Sequence, residues 1–291
     1  MTDIAPVAVD DRVADVAAAA LWADAADAPP VVRRLADPPP EREWTVLSTP
    51  GREGVVFASV GVDGGHTTGH VDLIAVDPAA QGRGIGRALA GAAEEWMRAH
   101  GATEARFAGN PPCYAWPGID VRYTPAACLA ERMGYERYRV AWNMTAELPA
   151  RYDEAEHEAD LAKLAEAGVT VAAAPAGERA EIADFVRGQW NDNWAWEAAQ
   201  ATGLRYAERD GEILGFAAWG ARPLWFGPMG TAQAARGLGV GRVLLRRCLA
   251  DQAAAGQTSA QIGWVGPIRF YSRAVGARAE RVFWLYRRAL D

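Results

Sequence analysis

The stretch DPAAQGRGIGRALAGAAEEWMRAHG (77–101) returns later in the chain as AQAARGLGVGRVLLRRCLADQAAAG (232–256). Without a gap, Gly82, Gly84, Gly86 and Arg87 fall on Gly237, Gly239, Gly241 and Arg242, each 155 positions on. Alanine-rich sequence yields chance matches; three alternate glycines followed by arginine do not arise that way. The flanks repeat in kind. HVDLIAVD (70–77) and PLWFGPMG (223–230) read as buried strands entering each glycine loop. Leu89–His100 and Leu244–Ala255 read as helices leaving it, each stopped by a C-cap glycine, Gly101 or Gly256.

Further out, EARFAG (104–109) and SAQIGWVG (259–266) read as short strands, each followed by a second helix and a closing aromatic strand, ERYRVAWNMTAEL (136–148) or ERVFWLYRR (280–288). Ahead of each loop lie hairpin patterns: EREWTVLSTPG with REGVVFASVGVDGG (41–65), and GLRYAERDGEILGFAAWG (203–220), turning at Asp210-Gly211. Helices over Asp11–Ala26 and Glu178–Gly203 precede those hairpins. The charged stretch 150–168 reads as a solvated connecting helix, which sets the boundaries at 1–149, 150–168 and 169–291. The expected fold is α/β, two tandem lobes each with a mixed, mostly antiparallel sheet.

At 291 residues and 50% hydrophobic, the chain suits two cored domains. No apolar run approaches the roughly 20 residues of a bilayer crossing, and the N-terminus lacks a signal-peptide pattern. Three irregularly spaced cysteines make neither a disulfide framework nor a zinc site, and the expected setting is cytoplasmic with no metal. A formal charge of −7 argues against a nucleic-acid partner, since counterion release needs basic surface.

Each half thus presents a strand, then Gln81-Gly82-Arg83-Gly84-Ile85-Gly86 or Arg236-Gly237-Leu238-Gly239-Val240-Gly241, then a helix. Glycines let successive main-chain N–H groups converge on an anion, and the helix start adds its own unpaired amides and positive dipole end. Such a turn suits a diphosphate, although a plain tight strand-to-helix turn is the competing reading. The spacing is neither the dinucleotide fingerprint nor the nucleotide P-loop.

Here the sequence resembles the GCN5-related N-acetyltransferase (GNAT) superfamily in its tandem form, across nearly the whole chain. The resemblance implies acetyl-coenzyme A as cosubstrate, its pyrophosphate cradled by Gln81, Gly82, Arg83, Gly84, Ile85, Gly86 and Arg87, with Ile74, Ala75 and Val76 pairing pantetheine. In the second half it implicates Arg236, Gly237, Leu238, Gly239, Val240, Gly241 and Arg242, with Gly227, Pro228 and Met229. The second half departs by placing Gln233 where Pro78 stands. The chemistry is direct attack by a neutral amine on a thioester, which needs a proton acceptor, oxyanion donors and an acid for the thiolate.

The family's acid is a tyrosine before a helix-ending glycine. Tyr271, in FYSRAVG (270–276), fits with one extra residue, and a core-packing tyrosine is the alternative; the first half has Leu129 or Ala130 there. This inclines the expectation toward the second lobe as the catalytic one. Asp72, on the first loop strand, either orients the amine or takes its proton, or else forms a surface ion pair; His70 is a lesser candidate base. From Gly101 to Gly134 is 33 residues against 20 from Gly256 to Gly276. The surplus, around NPPCYAWPGIDVRY (110–123), either walls an acceptor pocket through Tyr114, Trp116, Asp120, Arg122 and Tyr123 or is a loop pinned by its own aromatics. Trp190, Trp194 and Trp196 occupy the helical region that borders acceptor sites in the family, and at least two of them read as helix core.

The function expected is acyl, specifically acetyl, transfer from coenzyme A to a primary amine of a small molecule, with no nucleic-acid or membrane partner and the oligomeric state open. Two rivals stand beside it: a non-catalytic acyl-CoA-binding or sensing protein, and aminoacyl transfer from charged RNA, which the acidic charge disfavours.

Overall fold

The computed structural model describes residues 3–222 and 224–290, so Pro223, at the head of the second loop strand, lies outside the described residues with the first two positions and the last. The chain runs β1 (Ala5–Pro6), α1 (Asp11–Ala20), α2 (Ala28–Leu35), β2 (Trp44–Ser48), β3 (Gly54–Asp63), β4 (His66–Val76), α3 (Ile85–Ala99), β5 (Glu104–Phe107), β6 (Ile119–Asp120), α4 (Thr124–Arg132) and β7 (Glu136–Glu147). It continues with α5 (Glu154–Glu166), β8 (Thr170–Ala173), α6 (Arg179–Gln189), α7 (Asp192–Ala199), β9 (Gly203–Arg209), β10 (Glu212–Trp219), β11 (Trp225–Thr231), α8 (Val240–Ala254), β12 (Ser259–Ile262), α9 (Ile268–Val275) and β13 (Arg278–Ala289).

Two units result, one of residues 1–141 with 281–291 and one of 142–280. In the first, β1, β2, β3, β4 and β5 lie side by side, antiparallel but for the parallel β4–β5 pair, and Tyr286–Ala289 of β13 pair with β5. In the second, β8, β9, β10, β11 and β12 repeat that order, antiparallel but for β11–β12, and Met144–Glu147 of β7 pair with β12. Each unit is therefore mixed α/β with a mostly antiparallel sheet. The closing strands are traded: the last strand position of each unit is filled by the strand expected in the other. That corrects the boundaries at 149 and 169. Duplicated halves offer equivalent sheet edges, so local pattern leaves the partner of a closing strand undetermined.

Local chemistry also shifts helices. The helix expected over Asp11–Ala26 stops at Ala20, and the chain restarts as α2 with Pro29 and Pro30 in its first turn, where a missing N–H costs nothing. The helix expected over Glu178–Gly203 is two, because the Asn191 side chain accepts from Trp194 N (2.9 Å) and caps a fresh start. The stretch 150–168 is not a solvated connector: α5 buries Asp160 and Leu164 within the second unit.

In the first unit, α3 buries Ile85, Leu89, Ala90, Ala93 and Met97, the i, i+4 stripe of a core-facing helix. Fully burying each large one stabilises by about 1.5–3 kcal/mol. Gly69 on β4 permits this contact, since a Cβ there would lie 2.4 Å from Met97 Sδ. The opposite sheet face packs Val55, Phe57, Leu73 and Ala75 against α1 and α2.

Candidate active site

The two leading loop glycines have φ of +77° at Gly82 and +83° at Gly84, a region side chains rarely adopt. Gly86 sits inside α3, where a Cβ would come 3.2 Å from Leu129. Two glycines thus make the turn and the third admits a neighbouring helix. Polar side chains fold back out of the way: Gln81 Nε2 donates to Val76 O (3.0 Å) and Arg83 Nη2 to Ala79 O (2.9 Å). A Cβ at Gly82 or Gly84 would meet nothing within 4 Å, and Arg87 is exposed beside them. The first N–H groups of α3 have no acceptor inside the helix and face this open turn.

A cleft of about 940 Å³ leads from the loop into the sheet. β4 and β5 pair in parallel from Thr68 to His70 and then part, which leaves Val71–Val76 along one wall and Phe107–Gly109 along the other. At the fork β4 bulges: Leu73 pairs with Phe57 and Val71 with Ala58, so Asp72 is the extra residue. Asp72 lines the cleft, yet its Oδ1 is sealed from solvent and, among the described residues, accepts no hydrogen bond. Burial pushes its carboxyl up to about 7, against the pull of the Ser59 hydroxyl and the Arg42 guanidinium. His70 is buried and pushed down to about 4, so its ring is neutral near pH 7, and its Nδ1 pairs with Ala108 O (3.0 Å). It is a packed histidine.

The far end of the cleft is walled by Leu21 and Trp22 after α1 and by Trp116, Ile119, Asp120 and Tyr123 from the insertion. Tyr114 and Arg122 are displaced from the expected set. Tyr114 is buried against Gly109, and Arg122 forms a fork on Asp120 (2.8 Å). Arg42 pins the insertion by donating to the carbonyls of Asn110, Pro111 and Cys113. Two residues the sequence did not offer, Asp24 and Arg281, hold Asp120 and Tyr123 of that wall in place. Arg281, delivered by β13, donates to Asp120 Oδ2 (2.9 Å) and Asp24 Oδ2 (3.0 Å), and Tyr123 OH donates to Asp24 (2.5 Å). Burial works against the Asp120 charge, but Arg122 and Arg281 outweigh it and hold that carboxyl below its usual range. Burial and Asp24 push the Tyr123 phenol up. No local pattern marks Asp24 or Arg281; only the traded strand unites them.

The second unit keeps the loop geometry, with φ of +87° at Gly237 and +92° at Gly239. Its surroundings differ. A Cβ at Gly239 would fall 2.6 Å from Asp160 Oδ1, and Arg242 grips that carboxylate with Nε (2.6 Å) and Nη2 (2.5 Å). On β11, Met229 packs against the core while the Trp190 ring covers Gly230, at 2.3 Å from a Cβ. Trp190 and Trp194 stack with centroids 5.8 Å apart, as helix core. Tyr271, expected as the acid, lies instead in the core between Phe226 and Phe270, and burial pushes its phenol up to about 12.

The Acetyltransferase (GNAT) family matches residues 20–115. A mycothiol acetyltransferase of Frankia alni is 35% identical over 164 residues, which cover 49% of this chain and 42% of that protein. Among solved structures, a tandem GNAT protein from the clavulanic acid biosynthesis pathway aligns with a TM-score of 0.69 at 19% identity, over 99% of this chain and 98% of that one. A GCN5-related glucosamine N-acetyltransferase region of a fungal multi-domain GH3 β-N-acetylglucosaminidase aligns with a TM-score of 0.78 at 17% identity, over 98% of this chain and 38% of that one. At such identities these structures speak for the fold. No helix among the described residues is long and apolar enough to cross a membrane.

Proposed function

We propose that the chain is a tandem member of the GCN5-related N-acetyltransferase superfamily, and that its first unit transfers an acetyl group from acetyl-CoA to a primary amine of a small molecule, in the cytoplasm. One observation carries the reading: an open glycine turn at the head of a cleft that runs to a buried carboxyl titrating near neutrality. The matching family and the Frankia relative are both acetyltransferases, which supports acetyl as the acyl group.

Gln81 to Arg87 receive the pyrophosphate on main-chain amides, and the free edge of β4 at Ile74, Ala75 and Val76 runs beside the pantetheine arm. The carbonyl then lies at the fork. The neutral amine attacks its carbon, Asp72 takes the amine proton, and the tetrahedral adduct collapses to amide and thiolate. A carboxyl near 7 suits this task, being ionised often enough to accept and basic enough to compete for the proton. Main-chain N–H groups of β4 at the fork serve the oxyanion. A thiol with an ordinary value near 8.5 is a fair leaving group, so no protein acid is assigned to it. Trp22, Trp116 and Tyr123 contact the acceptor body.

The test is thiol release over a panel of amine acceptors, with Asp72→Asn beside the parent. Release with at least one amine is expected, falling by about 10²–10⁴-fold in the variant while acetyl-CoA still binds. Binding without release for any amine would favour the sensing reading instead.

A further inference from the structure

We infer that the second glycine loop carries its anion within the chain: the Asp160 carboxylate of α5 stands over Gly239 under the clamp of Arg242, and this lobe therefore takes no coenzyme A. The inference concerns the lobe that the proposed reaction leaves unused.

Four observations bear on it. The volume above Gly84 is empty to 4 Å, whereas above Gly239 it holds Asp160 Oδ1 at 2.6 Å and Cγ at 2.8 Å. Asp160 is 1% exposed, so this is a built-in group and not a passing surface contact. Arg242 is the counterpart of Arg87, and where Arg87 is exposed and forms no ion pair among the described residues, both arms of Arg242 are spent on Asp160. Finally, the clamp has its own support. Arg246, itself 2% exposed, reaches Glu156 Oε2 (2.7 Å), Ala274 O (3.2 Å) and, at 3.8 Å, Asp160. The corresponding position in the first half is Gly91, with nothing within 4 Å of a Cβ, so the clamp has no equivalent there.

The physical consequence follows from charge. A diphosphate approaching Gly237–Gly241 meets a carboxylate of its own sign already paired with the arginine it needs. Displacing that carboxylate would leave Asp160 buried without its partner, which costs more than an exposed pair would return. A hollow of about 610 Å³ remains beside the clamp, lined by Arg269 and Arg273 but also by Asp153 and Glu156. The second lobe is on this account a scaffold, with α5 locked on α8 through the former anion seat.

Calorimetric titration of the full chain with coenzyme A tests this. One equivalent per chain is expected in the parent and none in Gly84→Asp, which places a carboxylate over the first loop as Asp160 stands over the second. Two equivalents in the parent, or one surviving in Gly84→Asp, overturns the inference. No binding at all in the parent upholds it while removing the proposed function, so the two failures are told apart. A second arm uses inorganic pyrophosphate in the Gly84→Asp background. Asp160→Asn added there should lower Tm, and millimolar pyrophosphate should restore a few degrees of it without changing Gly84→Asp alone. Absence of that rescue overturns the anion-seat assignment. Should Asp160→Asn fail to fold, the stoichiometry arm decides without it.

Discussion

Gln81–Arg87 and Arg236–Arg242 share a glycine spacing, a pair of left-handed glycines and a following fifteen-residue helix, yet one turn is open to a cleft and the other is filled. The difference lies outside the motif. An acid on α5 and an arginine one turn into α8 convert an anion-binding turn into half of a buried ion network. A motif therefore reports what a backbone can hold; what it does hold is decided by side chains far away in sequence. For the first loop those neighbours are small or folded back, and the helix N-terminus stays available.

The comparison breaks most visibly at the glycines themselves. Gly84→Asp should cost about 10³-fold or more in acetyl transfer, measured by thiol release, because a fixed negative charge then occupies the anion seat. Gly239→Ala should leave the rate within twofold while lowering Tm, since its Cβ would strike Asp160 in a strained backbone. Asp160→Ala should cost about 3–5 kcal/mol in denaturant unfolding, the usual loss when a buried arginine pair is left with one member. Equal effects of the two glycine changes on the rate would show that the loops are not different.

Asp72 sharpens the contrast in solution. An unfolded aspartate titrates near 3.9 and this one near 7, so between those values the folded state holds the extra proton. Stability therefore falls as pH rises through that window, and the loss is complete above it. Asp72→Asn should be more stable than the parent at pH 8 by roughly 2–4 kcal/mol, less what cleft water screens, and equal to it at pH 4. The rate moves oppositely: kcat/KM should rise through pH 7 in the parent and lose that limb in Asp72→Asn. The smallest effect is expected at the acceptor wall. Arg281→Lys keeps the charge but loses the fork shared by Asp24 and Asp120, and should raise the acceptor KM several-fold while leaving the acetyl-CoA KM unchanged.

Much of this was legible because its causes are local. Gly82 and Gly84 announce themselves through a backbone angle that only glycine adopts readily, and the strand and helix on either side obey their periods. Trp116, Asp120 and Tyr123 of the insertion line the cleft, and the surplus length and aromatic composition singled that segment out. The rest depended on contacts without a local signature. Asp24 and Arg281 meet across 257 positions. The bulge at Asp72 follows from how β4 pairs with β3, and alternation alone places no extra residue there. Tyr271 satisfied a family pattern, but its neighbours Phe226 and Phe270 claim the ring for the core. Nor could the closing strands reveal their exchange, since either duplicated edge would accept them.

A crystal structure of the full chain grown with coenzyme A tests the central claim most directly. It should show a single diphosphate per chain, on the main-chain amides between Gln81 and Arg87, with Asp160 still seated over Gly239. A diphosphate on the second turn with Asp160 swung aside, or none on the first, would contradict it.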